Sequence, residues 1–157
     1  GSMVELAWMD QPAQYMLPPA RFEAGTQPVA QVVAAGVAAE WMMSIGMDQL
    51  EAHERKLTGE LLKMGDIEGI RILGPRENAD RIGTVAFDIN GVHPHDVGQF
   101  IDAQGIAIRV GHHCAQPVHR HFGLYASNRA SCGVYNNVED IHALLDALGK
   151  VRAFFGA

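Results

Sequence analysis

The apolar residues of this chain change their spacing near residue 65, and that change bounds the fold it can adopt. Up to that point they recur at helical intervals. Thr26-Gln27-Pro28 opens a first helix, where the Thr26 hydroxyl can cap and proline in the first turn loses no helical hydrogen bond. Val29, Val32, Val33, Val37 and Trp41 carry the apolar stripe as far as Gly46. A second run over 47–64 turns Leu50, Leu57, Leu61 and Leu62 inward and Glu51, Glu54, Arg55 and Glu60 outward, with Gly65 as its stop. Beyond Gly65 the chain reads as strands punctuated by turn residues, over 70–73, 84–89, 106–110 and 129–135. Between them 96–104 is helical on Val97, Phe100 and Ile101. Asn136 with Glu139 resembles a capping box for a last helix, whose buried stripe is Ile141, Leu144, Leu145, Leu148, Val151 and Phe155.

Two helices, two strands, a helix, two strands and a helix predict an α+β fold, a small mostly antiparallel sheet covered by helices. At 157 residues, 48% hydrophobic and 19% charged, the chain fits one domain and excludes intrinsic disorder. Residues 1–20 hold Pro12, Pro18 and Pro19 without a clean period, so they read as a leading arm, and 21–157 as the domain proper. Trp8, Tyr15, Met16 and Leu17 predict that the arm lies against something, and Gly1-Ser2 reads either as native or as an expression scar.

A formal charge of -6 with only 12 Lys and Arg leaves no basic face, which argues against nucleic acid as a partner. No apolar run approaches the ~20 residues that cross a bilayer, and no secretion signal is visible, so no membrane is expected. Two cysteines and seven methionines suit a reducing, cytoplasmic setting.

Six of the eight histidines fall between His93 and His121, and Cys114 lies among them in Gly111-His112-His113-Cys114-Ala115-Gln116-Pro117. Bracketed by Gly111 and Pro117, this segment reads as an exposed loop after a strand. Arg109, His112 and His113 could supply the positive field that turns a thiol into a nucleophilic thiolate; the bland alternative is a small buried cysteine. The histidines and Cys114 fit no standard zinc spacing, so no metal is expected. Cys132, between Ser131 and Gly133, reads as an inert core thiol. Arg129 at the head of a strand could receive a carboxylate in bidentate fashion or be a surface arginine. Gly25-Thr26 before a helix could cradle a phosphate or be only a cap.

Taken together, Arg21-Phe22-Glu23-Ala24-Gly25-Thr26, the 105–117 segment with its His-His-Cys loop, and Arg129-Ala130-Ser131 followed by Tyr135-Asn136 resemble the C-terminal part of SufS-type cysteine desulfurases. These are pyridoxal-phosphate enzymes of the class V aminotransferase group, and the likeness runs in order through nearly the whole chain. The resemblance implies the small domain of a fold-type I, aspartate aminotransferase-like enzyme that removes sulfur from L-cysteine. L-alanine and a persulfide on Cys114 would result, the sulfur passing on for iron-sulfur cluster assembly. It further implies that Arg129 binds the substrate carboxylate, that His112 and His113 support the loop, and that Gly25 and Thr26 reach the phosphate of pyridoxal 5'-phosphate in the other subunit of a homodimer. His95, in Val92-His93-Pro94-His95-Asp96-Val97, matches the loop used toward a zinc-containing SufU-like sulfur acceptor, favoured here over a SufE-like one; the alternative is that His95 caps the helix opening at Asp96. The family's Schiff-base lysine follows a histidine, whereas Lys56, Lys63 and Lys150 do not. The chain is therefore expected to be a fragment without desulfurase activity of its own. Competing readings are a selenocysteine lyase or another class V enzyme, and a free-standing sulfur-carrier or zinc-binding module.

Overall fold

In the computed structural model, which describes residues 3–77 and 81–157, the proline-rich start has more order than its composition suggests. Gly1 and Ser2, on which the reading as native or scar falls, lie outside the described residues. Strands β1 (Val4–Leu6) and β2 (Gln14–Tyr15) pair antiparallel, and Met16 N donates to the Met3 carbonyl at 3.0 Å. A short 3-10 turn at Ala20–Phe22 follows, then helix α1 (Val29–Ile45). The residue before α1 is Pro28, with no side-chain cap, so Thr26 does not cap it as its sequence position suggested. The helix contributes no buried residue: Val29, Val32, Val33, Val37 and Trp41 are 55–65% exposed. Gly46, at φ 101, ends it.

The chain divides into two compact units, one up to Gly46 and one from Met47, where composition predicted a single domain. The physical reason is that α1 adds nothing to the core, which is built wholly from residues after Met47.

The second unit begins with α2 (Met47–Leu62), which buries Leu57, Thr58 and Leu61 and tightens into a 3-10 turn over Lys63–Asp66. Gly65 is not the stop; the left-handed turn residue is Gly69, at φ 83. A four-stranded antiparallel sheet follows, in the order β3 (Ile70–Leu73), β4 (Thr84–Ile89), β6 (Ser127–Ser131), β5 (Arg109–Gly111). The period of two in β4 decides which face is covered. Val85, Phe87 and Ile89 are buried while Thr84, Ala86 and Asp88 are half-buried. On the buried side lie α2, α3 (Pro94–Asp102) and α5 (Val138–Phe155), with Leu57, Met64, Val97, Ile101, Leu144, Leu148 and Val151 against the strands. The predicted sheet class is thus borne out, with the helical layer on one face.

Several boundaries moved. The strand expected over 106–110 pairs only at Arg109–Gly111, and the one expected over 129–135 runs Ser127–Ser131, leaving Cys132 just past its end. A short helix α4 (Gln116–His121) occupies what read as open loop. The last helix is capped one residue later than its sequence suggested, by Asn137 and Asp140 in a reciprocal capping box, because Asn136 instead accepts from Gly133 N at 2.9 Å. Phe155 is 40% exposed and stands against Phe100 and Phe154 outside the buried stripe. No single helix among the described residues is long and apolar enough to cross a membrane.

Phe87, with no exposed surface, sits at the centre of this layer. Phe87→Ala should lower unfolding stability by about 3–5 kcal/mol in urea titration, whereas a loss below about 1 kcal/mol would mean that the centre collapses around the gap or was never tightly filled.

Candidate functional site

The open face of the sheet carries the chemistry. In β6 the pleat turns Asn128 and Ala130 to the core and Ser127, Arg129 and Ser131 the other way. Strand β5 meets β6 with Arg109 opposite Arg129 and Gly111 opposite Ser127. Two guanidiniums therefore face each other across one strand pair, and among the described residues neither makes an ion pair. Arg129 is half-buried and its Nε is enclosed without a hydrogen-bond partner. Like charges placed directly opposite cost stability, so the pair favours an anion between or above them.

Where β5 ends, Gly111 takes φ 124, and His113 and Cys114 follow at φ 52 and 56. Consecutive left-handed positions are costly for residues with a Cβ, about 1–2 kcal/mol each, and mark a turn held by its surroundings. The turn closes through Ala115 N to the His112 carbonyl at 2.8 Å, and α4 starts at once behind it. The result lifts Cys114 into solvent. A hollow of about 590 Å³ is lined by Arg109, His112, His113, Cys114 and Gln116.

The histidines divide by role. The His112 ring meets Tyr125 edge-on at 4.8 Å. His113 Nε2 lies 3.1 Å from Ser127 Oγ, and its Nδ1 is enclosed without a partner. Burial first, then the charges of Arg129, His119 and Arg109, push the His113 proton affinity down. His113 is thus held toward its neutral form, against the positive field at Cys114 that its sequence position suggested, while Arg109 lines the same hollow. His119 and Ser127, to which the sequence assigns no role, are buried beside the turn and bonded to each other. The clustering of histidines was a signal for the first; nothing in the sequence marks the second.

The other predicted site residues lie elsewhere. Cys132 lines a different hollow, of about 490 Å³, with Leu61, Ile106 and Ile141. Its Sγ donates to the Gly83 carbonyl at 3.4 Å, and burial together with the Glu54 charge pushes its thiol up. His95 is exposed in the first turn of α3 and does not line the Cys114 hollow. It does not cap the helix either: the His93 Nδ1 accepts from His95 N at 3.3 Å, and the two rings stack at 5.5 Å. Gly25 and Thr26 belong to the first unit. Gly25 has φ 79 with open space where a Cβ would stand, and among the described residues neither amide makes a backbone hydrogen bond. Those free donors fit the phosphate of a cofactor. Lys56, Lys63 and Lys150 are exposed, Lys63 being paired with Glu60 at 2.6 Å, and none stands near the Cys114 hollow. Among the described residues no group of three or more His, Cys, Asp or Glu gathers to hold a metal.

The family model for class-V aminotransferases matches residues 1–144. A probable cysteine desulfurase of Streptomyces coelicolor is 46% identical over 99% of this chain, and probable cysteine desulfurase 2 of Mycobacterium leprae is 45% identical over the same share. In both cases the chain spans 37% of the relative's length. Among solved structures, the apo cysteine desulfurase of Thermococcus onnurineus superposes with a TM-score of 0.78 at 32% identity, over 96% of this chain and 38% of that one. The S-sulfonic acid form of a cysteine desulfurase from Escherichia coli gives 0.76 at 31%, over 98% and 38%.

The two thiols should separate in reactivity. Iodoacetamide at pH 7.5 should label Cys114 well before Cys132, read by peptide mass spectrometry; equal rates or the reverse order would mean that the exposed thiol has been misassigned.

Proposed function

The chain belongs to the aminotransferase class-V family, and we propose that it is the small C-terminal part, with its leading arm of residues 1–20, of a pyridoxal-phosphate-dependent cysteine desulfurase of the SufS type. Because the chain spans 37% of its relatives' length, the activity is that of a longer protein. The observation that carries this reading is the exposed Cys114 on a two-residue left-handed turn, lining one hollow with Arg109, whose cross-strand neighbour is Arg129.

Arg129 receives the carboxylate of L-cysteine as a bidentate ligand, and a carboxylate there relieves the repulsion from Arg109. Pyridoxal phosphate, when bound, acidifies the substrate Cα and takes up the electrons released there. Gly25 and Thr26 offer amides to its phosphate from the other subunit of a homodimer. The lysine that binds its aldehyde comes from the rest of the longer protein, so this chain alone does not desulfurate cysteine. The Cys114 thiolate attacks the substrate sulfur. An S–S bond forms, the Cβ–S bond breaks, and its electron pair stays with the three-carbon fragment, which takes up protons and leaves as L-alanine. The sulfur remains on Cys114 as a persulfide. His112 and His113 support the turn that presents it, and Cys132 takes no part. The persulfide then passes in the cytoplasm to a SufU-like acceptor, with His95 as the residue that meets it, for iron-sulfur cluster assembly.

In the longer protein supplied with pyridoxal phosphate and L-cysteine, Cys114→Ala should cut alanine formation at least about a hundredfold. Arg129→Lys should raise KM roughly tenfold, through loss of the bidentate contact. Alanine formation unchanged by Cys114→Ala would overturn the nucleophile. For His95→Ala, the rate without acceptor should be that of the parent while stimulation by a SufU-like protein is lost; retained stimulation removes His95 from the transfer step.

A further inference from the structure

Two buried polar residues beside the Cys114 turn have no part in the chemistry above. His119 is 3% exposed and Ser127 0%. The His119 Nδ1 lies 3.0 Å from the Ala115 carbonyl oxygen, and its Nε2 lies 2.9 Å from Ser127 Oγ. The same Oγ lies 3.1 Å from His113 Nε2. A carbonyl only accepts, so His119 Nδ1 carries the proton and donates. In the neutral ring the other nitrogen must then accept, so it takes the hydroxyl proton of Ser127. With its one proton committed, Ser127 Oγ can only accept from His113, whose Nε2 is therefore protonated and whose Nδ1 is bare. That Nδ1 is the enclosed, unpartnered atom already noted. One carbonyl thus sets the direction of every proton in the chain.

The two ends of this chain are the residues on either side of Cys114. Ala115 accepts at one end and His113 donates at the other, and the middle is a hydroxyl on β6. Gly111, opposite Ser127 in the β5–β6 register, fixes where the turn leaves the sheet. The left-handed backbone at His113 and Cys114 has no other cross-link to the sheet among the hydrogen bonds of the described residues.

We propose that His119 and Ser127 are positioning residues for Cys114, tying both of its neighbours to β6 through a one-directional hydrogen-bond chain that fixes His113 as its Nε2–H tautomer. The role given to the chain rests on Cys114 as sulfur acceptor; its existence does not. Removing the Ser127 hydroxyl cuts both links at once, frees the His113 ring to exchange tautomers while the Ala115 carbonyl still holds that of His119, and lets the turn open. Threonine restores the hydroxyl and with it the chain.

Long-range proton–nitrogen NMR of the histidine rings in the 157-residue chain reads the tautomers directly. At pH 7.5, His119 should carry its proton on Nδ1 and His113 on Nε2. In Ser127→Ala His119 should keep its Nδ1 proton on the Ala115 carbonyl while His113 becomes mixed, and amide hydrogen exchange at Ala115 and His119 should quicken about tenfold or more; Ser127→Thr should retain the parent pattern in both. Mixed or reversed tautomers in the parent chain, or exchange unmoved in Ser127→Ala, would overturn the proposal, and the parent spectrum alone decides it should the alanine variant not fold. Neither readout involves sulfur. Fixed tautomers beside a Cys114 that takes no sulfur would fault the desulfurase reading only, and mixed tautomers beside a working Cys114 would fault the positioning chain only.

Discussion

The register in which β5 meets β6 is the constraint on which the rest of the site depends. With Arg109 opposite Arg129, two positive charges share one face of the sheet and want an anion. With Gly111 opposite Ser127, the chain leaves the sheet beside a buried hydroxyl able to hold the turn that follows. A slip of one residue would turn Arg129 into the apolar core and Ala130 out of it. That slip is prevented by the buried alternation of β4, whose Val85 and Phe87 pair with Ala130 and Asn128. The helical layer over Phe87, remote from any chemistry, is what keeps the arginines in place.

Above that register the site combines rigidity with exposure. Cys114 needs solvent and reach, which a strand or helix interior would deny it. The left-handed pair at His113 and Cys114 provides both at a conformational cost, offset by hydrogen bonds to a strand that cannot move far. Cys132 shows the opposite design: half-buried, bonded to the Gly83 carbonyl and raised in proton affinity by its surroundings, it is a thiol kept from reacting. Two cysteines of one chain are sorted by backbone conformation and burial.

Much of this was legible in the sequence, and for identifiable reasons. Strand β4 has a clean period of two and its end is marked by Asn90-Gly91, so its residues could be read directly. The His-His-Cys segment announced itself through composition. Helix α4 did not, because its six residues include Pro117 and three basic side chains and carry no apolar period. The stretch 106–108 looks like strand and is apolar enough, yet its ladder with β6 begins only at Arg109 although β6 itself continues to Ser131, which periodicity does not reveal. Ser127 was invisible because a buried hydroxyl gains its meaning from partners that only the tertiary fold supplies. The stripe of α1 was read correctly as helical, but burial is a property of what lies opposite, and periodicity cannot say whether anything does.

The central claim is that Cys114 carries the sulfur taken from L-cysteine. Its most direct test is peptide mass spectrometry of the longer protein after brief incubation with sulfur-labelled L-cysteine and pyridoxal phosphate, under non-reducing conditions. One labelled sulfur atom on the peptide holding Cys114, released by dithiothreitol and absent from the peptide holding Cys132, is the result expected. Label on Cys132, or on neither peptide while alanine accumulates, would contradict the account.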